Sequence, residues 1–135
     1  MTLVAFNSPY GASSFSLAAS RRTWAGRVMT GAGLALLPWM GYLAGTLPPA
    51  EAAAWVALDA VEAACLLIAG TRLMNGRAGH RGAAAAAAVL LVADACVDVA
   101  TAGPGSELAG ALAMAVGAEL PLAITCATLA VRSPR

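Results

Sequence analysis

The chain has no lysine, and charge of either sign is scarce: 11% of its 135 residues are charged, against 60% hydrophobic. Soluble domains carry roughly 25% charged residues, so a water-facing globular surface is excluded. A net charge of +1 and 5% aromatic residues leave no basic patch with interleaved aromatics, which excludes nucleic acid as a partner. Cysteine is limited to Cys65, Cys96 and Cys126, each inside an apolar stretch and none in a CxxC or Cys/His ligand spacing. An odd number of such cysteines reads as free thiols acting as small hydrophobes. Phosphate loops, dinucleotide fingerprints, HExxH and GxSxG are all missing. No cofactor and no metal is therefore expected, and the length fits one domain.

What is present is four apolar segments, at about residues 25–47, 52–74, 83–102 and 108–131. Each is near the roughly 20 residues that cross the hydrocarbon as a helix. Only a helix satisfies its own backbone there without closing a barrel. The connections are short and rich in Pro and Gly: Pro48-Pro49-Ala50-Glu51, residues 75–82, and Gly103-Pro104-Gly105-Ser106. Short connections make sequential helices antiparallel neighbours. The expected fold is all-α, a membrane-spanning up-down four-helix bundle at residues 21–135. Residues 1–20, rich in Ser and Ala, read as a mobile cytoplasmic tail with a short surface segment around Phe15 to Ala19.

The eight arginines set the orientation. Arg21, Arg22 and Arg27 precede the first segment, Arg72, Arg77 and Arg81 surround the second connection, and Arg132 and Arg135 end the chain. The other two connections carry Glu51 and Glu107 instead. Basic residues mark the cytoplasmic side, so four spans put both termini in the cytoplasm, in the cell inner (plasma) membrane. Trp24 at the inner end, with Tyr42 and Trp55 near the outer interface, fits aromatic anchoring.

Five of the seven acids lie inside the apolar segments, which reverses the usual pattern. Asp59 and Glu62 are three residues apart on the second helix, and Asp94 and Asp98 four apart on the third, so each pair shares a helix face. Glu119 is on the fourth. At 1.5 Å per residue from the outer ends, Asp98 lies roughly 6 Å deep, Asp59 roughly 10, Asp94 roughly 12, Glu62 roughly 15 and Glu119 roughly 16. All five fit one layer between the outer interface and the midplane. A central Asp costs on the order of 2.5–3.5 kcal/mol on the insertion scale, and no Arg, Lys or His lies at that depth. Protons, bound cations or water must neutralise the layer. Protonation of one or more acids at neutral pH is expected, with the five titrating as a coupled set.

Two readings of the layer stay open. Intramembrane ionisable residues mark functional sites, with Glu119 and Asp94 the candidate general acids if the function is catalytic. Protonated acids also serve as interhelical hydrogen-bond glue, pairing with each other, with Thr101 or Thr125, or with carbonyls freed by proline. Pro38 and Pro121 remove the helical partners of the Leu34 and Gly117 carbonyls. Trp39, at the depth of the acids, can form a cation–π wall for a cationic ligand. His80 sits among arginines without a partner and reads as a solvated loop residue. Gly31, Gly33, Gly41, Gly45, Gly110 and Gly117 invite close helix packing; Gly41-x-x-x-Gly45 serves internal packing and homo-oligomer contacts alike.

The segments Pro38-Trp39-x-x-Tyr42-Leu43-Ala44, Trp55-x-x-x-Asp59, Asp94-x-x-x-Asp98-Val99-x-Thr101 and Glu119-Leu120-Pro121-Leu122-Ala123 resemble a family of small four-helix membrane proteins of high-GC bacteria. The similarity covers about residues 24–131. It implies the topology and singles out the acids, and it supplies no activity. In size and span count the chain also resembles small multidrug-resistance transporters, but their essential Glu is in the first helix, where this chain has no acid. Asp94-x-x-x-Asp98 resembles half of an Asp-rich diphosphate–Mg²⁺ motif, whose sites face the cytoplasm, opposite to the side expected here.

Three functions follow. The first is proton- or cation-coupled transport of a small cationic or amphipathic molecule, bound by Asp59, Glu62, Asp94, Asp98, Glu119 and Trp39. The second is an intramembrane enzyme using a protonated carboxyl for isomerisation or cyclisation of a lipid-soluble substrate. The third is an accessory membrane subunit. The bilayer is the expected environment for all three. Orientation is testable now: single-Cys variants at Ser106 and Asn75 should label from opposite sides, with Ser106 outside. Identical labelling at both positions rules out four spans.

Overall fold

The computed structural model describes residues 10–131, with side chains from residue 19. The tail residues 1–9, with Arg132 and Arg135, lie outside the described residues. Helix α1 runs Tyr10–Thr46, α2 Pro49–Met74, α3 His80–Thr101, α4 Ser106–Met114 and α5 Leu120–Val131. A single π turn, Ala115–Glu119, joins α4 to α5, so the two together form one span, and no strand occurs among the described residues. Four helices are long and apolar enough to cross a membrane. The protein is an all-α bundle and a multi-pass membrane protein.

α1 begins well ahead of residue 25, where the apolar run starts. Arg21, Arg22 and Arg27 end a hydropathy signal, but they are good helix formers and do not interrupt the backbone. Pro48 and Pro49 start α2, where a missing N–H costs nothing. Gly79 precedes α3 at φ 87°, a left-handed conformation that suits glycine.

Packing is sequential. α1 lies along α2, α2 along α3, and α3 against α4 and α5; no comparable seam joins α1 to α4 or α5. The α1–α2 seam is the tightest. A Cβ on Gly70 would lie 2.6 Å from the Gly26 carbonyl oxygen and 2.8 Å from the Thr30 nitrogen. A Cβ on Gly33 would lie 3.0 Å from the Ala63 carbonyl oxygen. Of the glycines expected to pack, only Gly33 does so. Gly31, Gly41, Gly45, Gly110 and Gly117 have nothing within 4 Å of a Cβ, while Gly26 and Gly70 supply the close approach.

The buried core is confined to one half of the bundle. Met29, Leu66 and Cys126 are fully buried there, among Ala69, Leu73, Ala84, Ala87 and Leu91. The arginines close that end. Arg22 Nε donates to the Leu73 carbonyl at 3.1 Å, and Arg81 Nε to the Ala130 carbonyl at 2.8 Å. Each guanidinium thus satisfies a carbonyl in a last helical turn and complements the negative end of that helix. His80 opens α3, its Nδ1 3.0 Å from the accepting Arg77 carbonyl. Large apolar side chains such as Val89, Val116 and Ile124 face outward, at 69%, 67% and 64% exposure; lipid satisfies such a surface and water does not.

These packing distances predict opposite effects of one substitution. Gly70→Ala forces two backbones apart and should destabilise the folded protein by about 1–3 kcal/mol, as overpacking does. Gly41→Ala meets nothing and should be neutral or slightly stabilising. Reversible unfolding in lipid–detergent mixtures reads both; equal effects would remove the close seam.

Candidate functional site

Above the packed half the helices separate around a cavity of about 800 Å³. α2 contributes Asp59 and Glu62 to its wall, α3 Asp94 and Asp98, and the π turn Glu119. Trp39 of α1 stands among them. All six residues singled out from sequence therefore line one space. The floor is apolar: Leu66 and Leu91 belong to the buried core, and Leu122 packs against it. A smaller cavity of about 160 Å³ shares Trp39, Asp59, Asp94 and Asp98 and reaches Trp55 and Glu51 at the end opposite the arginines. Asp59, Asp94 and Asp98 line both spaces, so the site extends toward that end, while the buried core lies between it and the arginine end.

Burial is deep for ionisable groups. Asp59 and Glu62 are each 3% exposed and Glu119 is 7% exposed. Asp59 Oδ2, Glu62 Oε2, Asp94 Oδ1 and Glu119 Oε2 are buried without a hydrogen-bond partner among the described residues. The threonines donate within their own helices. Thr101 Oγ1 donates to the Val97 carbonyl at 2.8 Å, and Thr125 Oγ1 to the Pro121 carbonyl at 2.9 Å. These are bonds to each residue's own preceding turn, so neither hydroxyl donates to a buried carboxylate. Glu107, also lining the cavity, accepts from the Gly103 N–H at 3.0 Å in the connection that precedes α4. Trp39 is half exposed and stacks on Tyr42, with centroids 5.5 Å apart and planes at 24°.

The acids divide into two groups. One carboxylate oxygen each from Asp94, Asp98 and Glu119 lies within 4.8 Å of the others. Asp59 and Glu62 occupy the α2 wall. This grouping is not legible in sequence, because Glu119 joins the α3 pair from a different helix. The signal that could have suggested it is the proline two residues later. In the π turn the Leu120 N–H donates to the Ala115 carbonyl, five residues back. Such turns recur at functional positions in helices.

A scan of protein-family models and searches of curated proteins and of solved structures found no match to the chain. The site itself must carry the functional reading.

Because the buried carboxylates have no partner to lose, neutral isosteres should not weaken the fold. Glu62→Gln and Glu119→Gln are expected to unfold at or above the wild-type midpoint. A loss near 1 kcal/mol in both, the scale of interhelical hydrogen bonds in membranes, would restore the glue reading.

Proposed function

We propose that the protein is a small membrane carrier, coupled to protons or to cations, for a small cationic or amphipathic molecule. The observation that carries this reading is the set of buried, unpartnered carboxylates on one wall of an otherwise apolar cavity of about 800 Å³. That volume lies in the range of small-molecule sites, roughly 300–1,000 Å³. The wall suits a cationic head, and Leu36, Leu66, Leu91 and Leu122 suit an apolar body. Trp39 adds a π face beside the head. With the arginine end in the cytoplasm of the cell inner membrane, the described state is open outward and closed inward.

A carrier must also expose the site to the other side. Pro38 within α1 and the π turn before Pro121 weaken helical hydrogen bonding at the depth of the cavity, where bending is least costly. Opening the inner half would break the core around Met29, Leu66 and Cys126. Binding energy spent on the acids in one state and the other can drive that exchange.

Purified protein in proteoliposomes, with tetraphenylphosphonium as the probe cation and an imposed pH or salt gradient, tests this. Wild type should accumulate the probe only with the gradient, and Glu119→Gln and Asp94→Asn should lose accumulation while remaining folded. Unchanged uptake in both variants sinks the reading, and substrate turnover in detergent without any gradient would favour catalysis instead.

A further inference from the structure

The geometry points to a specific ion site within the acid layer: Asp94, Asp98 and Glu119 hold one hard divalent cation, leaving Asp59 and Glu62 on the α2 side of the cavity for the organic cation. The assignment of that ion to coupling rests on the carrier reading; its binding does not.

Separation comes first. An ion bound to carboxylate oxygens at roughly 2.3–2.6 Å, as Ca²⁺ is, can accept oxygens no further apart than twice that, about 5 Å. Three oxygens within 4.8 Å of one another lie no more than about 2.8 Å from a common centre, so a shift of a few tenths of an ångström gathers them around one ion. Glu119 is 7% exposed, and its Oε2 and Asp94 Oδ1 have no hydrogen-bond partner among the described residues. A buried, unpartnered carboxylate beside two others is destabilising unless a positive charge is shared between them.

Ion class follows from the donors. The set is oxygen only, with no imidazole or thiolate, which favours hard cations over soft ones. Three ionised carboxylates around a monovalent ion keep two net negative charges in low dielectric; a divalent ion leaves one. Three carboxylates supply between three and six oxygens, and Ca²⁺ takes 6–8. Water can fill the remainder, because the adjoining cavity of about 160 Å³ borders Asp94 and Asp98 and a water occupies about 30 Å³. The same cavity reaches Glu51 and Trp55, giving a hydrated ion a way in from the end opposite the arginines.

Mn²⁺ is the probe, because loss of its free EPR signal reports binding directly. Full-length protein in nanodiscs should bind one Mn²⁺ per chain, and Ca²⁺ or Mg²⁺ should displace it. Asp98→Asn and Glu119→Gln should each weaken binding by about tenfold or more, since loss of even an outer-shell partner typically costs that much. Glu62→Gln should change affinity far less. Absence of Mn²⁺ binding to wild type at millimolar concentration overturns the site, as does equal binding by all three variants. Should a variant fail to fold, the wild-type titration alone still decides. Specific Mn²⁺ binding without gradient-driven tetraphenylphosphonium uptake upholds the site and defeats the carrier reading.

Discussion

Five carboxyl groups inside a bundle that has no buried cation among the described residues form the constraint on which the rest of the structure depends. Each would be solvated in water; in hydrocarbon each needs a proton, an ion or a captured water. The protein does not resolve this internally. Its threonines bond to their own helices, and Arg22 and Arg81 bond carbonyls at helix C-termini, at the end away from the acids. The positive and negative groups that could have neutralised each other are thus held apart along the membrane normal. A bundle under that constraint either collapses around protonated acids or keeps a space where something from outside can neutralise them. The cavity shows that this one keeps the space.

Keeping a space requires stability elsewhere, and the two halves of the bundle divide the work. In the arginine half, backbones of α1 and α2 touch through Gly26, Gly33 and Gly70, and dispersion between closely packed helices is what holds membrane proteins together when lipid is as apolar as leucine. In the other half, alanine and glycine at Ala35, Ala111 and Gly110 line the cavity without filling it, and α1 packs on α2 rather than on α4 or α5. α1 is also the least buried span, at 11% of its apolar window against 33% for α2. α1 is held by α2 through that close seam and borders the cavity through Ala32, Ala35, Leu36 and Trp39.

Much of this was legible in the sequence. Hydropathy gave four spans, the arginines gave the two ends, and spacings of three and four put Asp59 with Glu62 and Asp94 with Asp98 on single faces. Those signals are local along one helix. What was not legible depends on how one helix meets another. Gly41-x-x-x-Gly45 has the form of a packing motif and faces open space, while Gly26 and Gly70, which no short motif joins, make the close crossing. Glu119 joins the α3 pair rather than standing alone, and no spacing within one helix can announce that. The start of α1 was missed for a different reason: hydropathy ends at charged residues, and a helix need not.

The π turn explains how Glu119 reaches the α3 pair. Ala118 and Glu119, at the end of the turn, both line the cavity. Before the turn, the cavity face runs through Glu107, Gly110, Ala111 and Met114; after it, Leu122 faces the cavity and Ala123 and Cys126 are buried. Ala115, Glu119, Ala123 and Cys126 are all buried at helical spacing, so α5 is fixed in rotation by its packing on α3. The extra residue of the π turn lets the α4 face open toward the cavity without rotating α5 off α3. Pro121 makes the insertion inexpensive. It has no N–H to donate, so a helical bond is already missing there, and the Leu120 N–H still finds the Ala115 carbonyl. A defect that would weaken an ordinary span is placed where one bond was lost in any case, and it turns a carboxylate toward two others.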